Sequence, residues 1–212
     1  MINPERLSKI EKLVARRQGN ITVILENVHD VHNVGAVLRS CDAVGLIEVY
    51  LLLTNVDKED TVFTLGKRTS MGARKWVDVH YYQDVVACFN VVRQKYSTIL
   101  AAAIDEGSTN LFANDLAGSV ALLFGNESSG LSDEAIDMAD GRFYIPQMGM
   151  VQSLNISVAC AVTLYEAMRQ RENAGLYTDN TTMTPLEKQS LLERYIQRSE
   201  DRDRRRETHL IK

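Results

Sequence analysis

Three short polar segments of the sequence carry the side chains that are best suited to chemistry. The first contains Asn33 and Arg39, six positions apart in a stretch that is otherwise mostly apolar. The planar fork of donors on an arginine matches a phosphate, so Arg39 is a candidate phosphate ligand. Asn33 is predicted to cap a helix and to leave backbone N–H groups open to an anion. A capped core helix with one surface arginine is the plainer alternative.

The second segment, Leu122 to Ala135, contains a glycine turn after an apolar run. Gly125 and Gly130 have the spacing of a phosphate-binding P-loop, but the Lys-Ser/Thr pair that must follow is absent. Glu127 lies within the turn, where its charge would repel a triphosphate. We therefore expect backbone contacts to a neutral or positively charged ligand, or else only a tight strand-to-helix turn.

The third segment, Ile145 to Ala159, combines a strand break at Pro146 with the start of a long apolar helix. Ser153 is predicted to cap that helix. Asn155 would then lie just inside a buried helix, where it is a poor helix former and its amide needs partners. We therefore expect a polar group from elsewhere in the chain to meet Asn155.

The elements that position these segments alternate between apolar strand-like runs and helical patterns. Near-continuous apolar runs indicate strands covered on both faces, as in a parallel sheet. The predicted strands are Ile21–Glu26, Ile47–Thr54, Trp76–His80, Thr98–Ile104, Val120–Phe124 and Arg142–Pro146. The predicted helices are His32–Val44, Val62–Ala73, Asp84–Lys95, Ser132–Met138 and Gln152–Glu172. This alternation predicts an α/β domain with ligands beyond the C-terminal ends of the strands.

Charged helical extensions are predicted on both sides of this domain. Residues 1–19 contain an amphipathic helix with a basic surface and an apolar face formed by Leu7, Ile10, Leu13 and Val14. Residues 176–212 contain a second helix with an apolar seam at Leu186, Leu191, Leu192, Tyr195 and Ile196, and then an arginine-rich tail. The central domain is therefore expected to span residues 20–175.

The bulk composition narrows the class of protein. Of the 212 residues, 45% are hydrophobic and 25% charged, which is typical of a soluble globular protein. The net charge of -4 gives no overall positive field for nucleic acid. Three scattered cysteines suit a reducing compartment, and no apolar run suggests a signal or a membrane span. We expect a cytoplasmic protein.

A metal site is not expected from the histidines. His29 and His32 have HxxH spacing, but no cysteine or third histidine lies near them in the sequence. Zinc sites need three or four such ligands. These two histidines are therefore predicted to form hydrogen bonds or to be solvated.

Taken in order, the three segments resemble the motifs of the SpoU (SPOUT-class) RNA 2′-O-methyltransferases. The residues similar to the first motif are Asn33, Gly35, Ala36, Arg39, Ala43 and Gly45. In this chain, residues Leu123–Leu131 resemble the second motif and residues Ile145–Ala159 resemble the third. The short basic N-terminal helix and the Asn27–His29 entry to the first motif are most similar to members that methylate a guanosine ribose in the tRNA D-loop.

The resemblance implies a mostly parallel α/β sheet flanked by helices, with a deep C-terminal trefoil knot, and a homodimer. It implies that S-adenosylmethionine is the cofactor, bound at Ala102, Gly125, Ile145, Ser153 and Leu154. It also implies a catalytic set formed by Arg39, Asn33, Glu127, Ser153 and Asn155. Arg39 would act as a general base or, since a guanidinium stays protonated, as an anchor for the adjacent phosphate.

The expected reaction is methyl transfer from S-adenosylmethionine to a ribose 2′-hydroxyl of tRNA, at the D-loop guanosine. RNA phosphates are expected to meet Arg6, Lys9, Lys12, Arg16, Arg17, Lys67, Arg68, Arg74 and Lys75. The arginine-rich tail either adds to this surface or is a solvated helix face. The alternatives are methylation of rRNA or of another tRNA position, and a non-catalytic RNA-binding protein of the same fold. The presence of Asn33, Arg39 and Glu127 argues against the last alternative.

Overall fold

The computed structural model describes residues 2–55, 72–151, 153–178 and 182–210, with side chains as far as Glu200. Its strands are β1 (Ile21–Glu26), β2 (Glu48–Leu52), β3 (Asp78–Tyr82), β4 (Thr98–Ala102), β5 (Thr109–Asn110), β6 (Val120–Phe124) and β7 (Gly141–Tyr144). They form one parallel sheet in the order β3-β2-β1-β6-β4-β7-β5. Every residue of β1, β2 and β6 is buried, because helices cover both faces of the sheet as the apolar runs predict.

Six helices surround the sheet in the described ranges. They are α1 (Pro4–Ala15), α2 (Val31–Ala43), α3 (Val85–Val92), α4 (Asp133–Asp137), α5 (Ile156–Asn173) and α6 (Pro185–Leu210), with short 3-10 helices at Ala73–Lys75 and Leu111–Ala113. Helices α2 and α5 pack together on one face of the sheet, whereas α3 and α4 bury apolar residues against the other. None of the helices described is long and apolar enough to cross a membrane.

The terminal helices α1 and α6 pack against each other and share a small apolar core. Ile10 and Val14 of α1 meet Leu191 and Tyr195 of α6 in that core. The predicted apolar faces are therefore largely correct. Leu186 is the exception, because it is 74% exposed in the first turn of α6.

Several element boundaries differ from the sequence-based expectation. The predicted strand at Trp76–His80 is displaced, because Trp76 closes a 3-10 turn and β3 begins at Asp78. The two-residue strand β5 was not predicted, since so short a segment carries no periodic signal. The helix expected at Val62–Ala73 lies almost entirely outside the described residues, and its last residue begins the 3-10 helix instead.

Candidate active site

A cavity of about 410 Å³ opens at the C-terminal ends of β4, β6 and β7. This is the edge of the sheet at which parallel strands were expected to present a ligand site. The residues predicted to bind the cofactor all line it, and they are Ala102, Gly125, Ile145, Ser153 and Leu154. Much of the remaining wall is apolar, including Phe124, Leu131 and Phe143. The cavity therefore suits a ligand with a large uncharged part.

The glycine loop, defined as residues 125–132, folds back tightly on itself beside this cavity. A Cβ atom on Gly125 would lie 2.3 to 2.5 Å from backbone atoms of Gly130 and Leu131, so a larger residue would force the loop apart. The N–H of Asn126 donates to the carbonyl of Gly130 at 3.0 Å, and the reverse bond is 2.9 Å long. Gly130 has a φ of 69°, which glycine adopts without strain. The glycines thus form the tight turn that the sequence predicts.

A hydrogen-bonded cluster of Asn33, Glu127 and Asn155 lies at the rim of the cavity. Oε1 of Glu127 accepts from Nδ2 of Asn155 at 2.5 Å and from the backbone N–H of Ile156 at 3.0 Å. Nδ2 of Asn33 approaches the same oxygen at 3.4 Å. Nδ2 of Asn155 also donates to Oδ1 of Asn33 at 3.1 Å. One carboxylate thereby joins α2, the glycine loop and the start of α5, and supplies the polar partner expected for Asn155.

Both predicted helix caps are wrong. The side chain that caps α2 belongs to Asp30, which accepts from the N–H of His32 at 2.8 Å, and Asn33 lies within the first turn. The cap of α5 is Asn155, which accepts from the N–H of Ser157 at 3.0 Å, two residues after Ser153. Several residues near each helix start are of capping type, and tertiary contacts decide which of them caps the helix.

Arg39 stands apart from this cluster. It is exposed on α2, and its side chain leaves the helix about 120° around the axis from that of Asn33. Arg39 is not among the described residues that line the cavity. The structure therefore joins Asn33, Glu127 and Asn155 by hydrogen bonds and places Glu127 and Ser153 in the cavity wall. Arg39, like Asn33 and Asn155, does not line that wall.

The predicted RNA-binding residues have different environments. Lys12, Arg16 and Arg74 are exposed, Arg6 donates to the hydroxyl of Ser199, and Lys9 pairs with Glu5 at 2.7 Å. Lys75 lies over the ring of Trp76, with Nζ 4.7 Å from its centroid. Lys67 and Arg68 lie outside the described residues.

Arg17 is not available to RNA in this structure, contrary to the expectation. It is fully buried, and its guanidinium donates to the carbonyl of Leu46 at 2.9 Å and to the carboxylate of Asp42. Helix α1 ends at Ala15, so the periodicity that placed Arg17 on the basic surface no longer applies there. Arg17 instead ties the end of α1 to the end of α2.

The histidines of the first segment are exposed, at the loop before α2 and in its first turn. The described residues include no group of three or more His, Cys, Asp or Glu side chains arranged to hold a metal ion. The polar groups that the structure places at this site are amides, the Ser153 hydroxyl and the Glu127 carboxylate.

Sequence reasoning missed two residues that support the glycine loop. Glu26 is fully buried at the end of β1 and accepts two hydrogen bonds from Ser132. Asn27 has a φ of 54°, and its carbonyl accepts from the side chain of Asn126 at 2.8 Å. A charged residue that ends an otherwise apolar strand is a signal that was available in the sequence.

Comparison with known sequences gives matches over most of the chain. The model of the SpoU rRNA Methylase family matches residues 20–165. A tRNA (guanosine(18)-2′-O)-methyltransferase of Thermus thermophilus is 44% identical over 172 residues, which are 81% of this chain and 86% of that protein. A 23S rRNA (guanosine-2′-O-)-methyltransferase of Xanthomonas campestris is 38% identical over 79% of this chain, but over only 66% of its own length.

Solved structures are similar over the same region. The A. aeolicus TrmH/SpoU tRNA modifying enzyme has a TM-score of 0.81 and 32% identity, with 93% of this chain and 96% of that chain covered. The methyltransferase AviRb from Streptomyces viridochromogenes, in complex with AdoMet, has a TM-score of 0.63 and 25% identity, with 74% and 59% covered. From the sequence match, the identity and the shared fold, it follows that this chain belongs to the SpoU methylase family.

Proposed function

We propose that this protein transfers a methyl group from S-adenosylmethionine to the ribose 2′-hydroxyl of guanosine 18 in tRNA. The observation that carries the proposal is the junction of Asn33, Glu127 and Asn155 at the mouth of the cavity. These side chains come from three separate segments, and a purely structural turn would not need to unite them. The Thermus relative with the same activity in its name supports the choice of reaction.

The cavity residues fit S-adenosylmethionine, which would supply a methyl group already activated on a sulfonium. The apolar walls at Ile145 and Leu154 suit a purine ring and the thioether chain. The tight turn at Gly125 lets the backbone approach a ligand closely. Glu127 adds negative charge near the mouth, which favours a cation and disfavours a triphosphate. The AdoMet complex of the related AviRb structure supports this choice.

In the proposed mechanism the protein aligns the ribose hydroxyl with the methyl group, because the methyl donor needs no further activation. The new O–C bond would form as the S–C bond of the donor breaks, S-adenosylhomocysteine would leave, and the hydroxyl proton would pass to water. Asn33 and Asn155 orient the ribose, and Glu127 holds both amides in place. Ser153, in the cavity wall, offers a further hydroxyl toward the reacting groups. Arg39 binds the phosphate next to the ribose, because its fork of donors stays protonated at neutral pH.

A tRNA substrate is favoured over rRNA by the extent of the matches. The Thermus tRNA enzyme is covered over 86% of its length, whereas the Xanthomonas rRNA enzyme is covered over only 66%. The buried cysteines are free thiols, which are typical of proteins in the reducing cytoplasm. This supports a substrate that is found there. The proposed substrate is therefore cytoplasmic tRNA.

The RNA-binding surface is proposed to include α1 and the 3-10 helix at Ala73–Lys75. The exposed cations that support it are Lys9, Lys12, Arg16 and Arg74, with Arg6 and Lys75 at its border. In this arrangement residues 20–175 form the catalytic domain, with extensions at 1–19 and 176–212 whose helices α1 and α6 pack against each other. Phosphate contacts of this kind give salt-dependent binding without sequence preference.

A homodimer is also part of the proposal. Large apolar side chains are exposed after β7, at Met148, Met150 and Val151, and on α5, at Val158 and Tyr165. We propose that they form one apolar patch, since such patches mark interfaces in soluble proteins. Pairing two copies through α5 would cover the patch and would let Arg39 of one copy approach a neighbouring site. Light scattering on the protein and on Tyr165→Glu would test the pairing, since the added charge should favour the monomer.

The deep knot is proposed from the order of the strands. β7 lies between β4 and β5 in the sheet, although β4 and β5 are joined directly by residues 103–108. The chain after β7 then returns toward β1 to begin α5 beside Glu127. If this return passes inside the connection between β4 and β5, the chain is threaded, which is rare among protein folds.

The function is tested by incubating the protein with radiolabelled S-adenosylmethionine and unmodified tRNA transcripts, and mapping the label. We expect label at the ribose of guanosine 18, and none in a matched tRNA with 2′-deoxyguanosine at that position. A parallel incubation contains ribosomal RNA. Label in rRNA alone would contradict the tRNA assignment, and label in neither RNA would favour a non-catalytic RNA-binding protein.

A further inference from the structure

The glycine loop is fixed to β1 through a buried carboxylate that does not line the cavity. Oε2 of Glu26 accepts from the backbone N–H of Ser132 at 2.9 Å, and Oε1 accepts from the hydroxyl of Ser132 at 2.6 Å. Both oxygens are thus used by one serine, at the C-terminal end of the loop. Ser132 also caps α4 by accepting from the N–H of Ala135 at 3.2 Å.

The other end of the glycine loop is hydrogen-bonded to Asn27, the residue that follows Glu26 in the chain. The carbonyl of Asn27 accepts from Nδ2 of Asn126 at 2.8 Å. The side chain of Asn27 is itself held by the backbone N–H of Thr54, which donates to its Oδ1 at 2.9 Å. Consecutive residues at the end of β1 therefore hold both ends of the glycine loop.

A buried glutamate is a costly choice for this position if its role is only to stabilise the fold. The other residues of β1 are apolar apart from Thr22, and burying a carboxylate costs free energy that its hydrogen bonds must offset. An apolar side chain would pack the sheet at lower cost. The charge of Glu26 also acts on a thiol of the apolar interior. The pKa of Cys88 is raised to about 12, mainly by burial and to a smaller extent by the charge of Glu26.

The loop end that Glu26 holds is connected rigidly to the site. Ser132 follows Glu127 closely in the chain, and the Asn126–Gly130 bridge restricts the segment between them. A shift of Ser132 would therefore move Glu127 relative to Asn155. It would also change the wall of the cavity at Gly125 and Leu131, since both belong to the loop.

We infer that Glu26 is a positioning residue for methyl transfer, which acts through Ser132 to hold the glycine loop in the conformation where Glu127 meets Asn155. This inference rests on the proposed function. Glu26 is not among the described residues that line the cavity, so it has no direct contact there with a ligand. Its effect passes through the hydrogen bonds to Ser132.

The test compares Glu26→Met, which removes both acceptors at similar size, with Glu26→Gln, which keeps one acceptor for the Ser132 N–H. The matched control is Glu48→Gln. Glu48 is also a buried carboxylate, but it is the first residue of β2 and lies at the N-terminal ends of the strands, away from the cavity. We expect Glu26→Met to lower kcat by about 10- to 100-fold. It should also weaken the binding of S-adenosylhomocysteine measured by calorimetry. Glu26→Gln should retain most of the wild-type kcat and most of the affinity for S-adenosylhomocysteine, and Glu48→Gln should keep the wild-type kcat.

Two further measurements separate positioning from a general loss of stability. Combining Glu26→Met with Ser132→Ala should lower kcat little beyond the larger single loss, because the hydroxyl contact that Ser132→Ala removes is already absent in Glu26→Met. Hydrogen exchange of residues 125–132 should accelerate in Glu26→Met, whereas exchange in β2 should not change. Losses that multiply in the double variant would overturn the route through Ser132.

The outcomes also distinguish this inference from the proposed function. A folded Glu26→Met protein with wild-type kcat, wild-type affinity for S-adenosylhomocysteine and unchanged exchange would overturn the inference. If Glu26→Met fails to fold, Ser132→Ala, which removes the hydroxyl half of the contact, takes its place in the same assays, and wild-type values in it would overturn the inference. If the wild-type protein transfers no methyl group to tRNA, the proposed function fails. Calorimetry and hydrogen exchange would still decide whether Glu26 holds the loop.

Discussion

The side-chain amide of Asn155 lies 2.5 Å from Oε1 of Glu127, and this contact joins residues that are 28 positions apart in the chain. The same oxygen accepts from the N–H of Ile156, so the carboxylate sits at the N-terminus of α5, where negative charge is favourable. Glu127 therefore fixes the glycine loop and the start of α5 relative to each other. The positions of the amides at the rim depend on that one carboxylate.

Glu127→Ala is expected to lower kcat by about 10-fold or more, because it removes the oxygen that accepts all of these hydrogen bonds. Asn155→Ala should have a similar effect. The double variant should lose less than the product of the single losses, since both changes remove the same contact. Single-turnover methylation of tRNA measures the three rates. Glu134→Ala, which truncates an exposed carboxylate in the first turn of α4, is the control. Independent, multiplicative losses would contradict a shared role.

Arg39→Ala should abolish methyl transfer and leave the affinity for S-adenosylmethionine nearly unchanged. The reason is that Arg39 is outside the cavity wall, where it would contact the RNA phosphate and not the cofactor. Arg39→Lys keeps the charge but not the fork of donors, and an intermediate rate is expected. Calorimetry with the cofactor and the methylation rate are measured side by side. Full activity of Arg39→Ala would exclude this residue from the catalytic set.

The sheet was predictable where the sequence signal is local. The apolar runs of β1 and β6 predict these strands directly, because a strand buried on both faces has almost no polar positions. Trp76 shows the limit of that signal, since its apolar side chain packs in a turn before β3 begins. The order of the strands does not follow from periodicity, because it depends on contacts between segments far apart in sequence.

The site was predictable in part. A polar partner for Asn155 was expected because Asn155 was placed just inside a buried helix, whereas the structure has it as the exposed N-cap of α5. The partner exists all the same, but local physics could not identify it as Glu127. The support from Glu26 remained hidden because its contact with Ser132 spans 106 positions and exists only in the folded chain. Arg17 was misplaced for a related reason: extending the helical period past Ala15 put a buried side chain on the surface.

Lys12→Ala and Arg16→Ala are expected to weaken tRNA binding without loss of stability, because both side chains are exposed on or beside α1. Each lost phosphate contact should reduce the slope of log Kd against log salt by about one unit or slightly less. Filter binding over a range of salt concentrations measures this slope. Arg17→Ala is the contrasting variant, since its loss breaks buried hydrogen bonds and should lower the melting temperature. A salt slope that is unchanged in Lys12→Ala and Arg16→Ala would remove α1 from the RNA-binding surface.

Arg171→Leu should destabilise the protein by about 3 to 5 kcal/mol, because it would leave several buried acceptors without donors. Arg171 is almost fully buried near the end of α5, and it donates to Oδ1 of Asn20 at 2.7 Å and to the carbonyl of Leu116 at 3.0 Å. Arg169→Leu is the control, since its guanidinium is largely exposed to solvent, which screens its ion pair with Glu166 and makes a much smaller loss expected. Urea denaturation measures both variants. Equal losses would refute the anchoring role of Arg171.

The stability of the fold should decrease between about pH 4.5 and pH 2 because of a buried carboxylate at the start of β2. Glu48 accepts hydrogen bonds from four side chains, which are Tyr50, Tyr96, Lys95 and His80. Burial alone would raise the pKa of Glu48, but the hydrogen bonds from His80, Lys95 and Tyr50 outweigh it and lower the pKa to about 2.

The unfolded chain binds a proton at Glu48 near its ordinary pKa of 4.5, whereas the folded protein resists protonation until about pH 2. The contribution of Glu48 is therefore complete above pH 4.5 and is lost as the pH falls through the folded pKa, by about 3 kcal/mol in total. Glu48→Gln should remove this part of the pH dependence, together with stability at neutral pH. Urea denaturation at intervals between pH 2 and pH 7 measures both curves. Parallel curves for the variant and the wild-type protein would show that Glu48 is not the group that titrates.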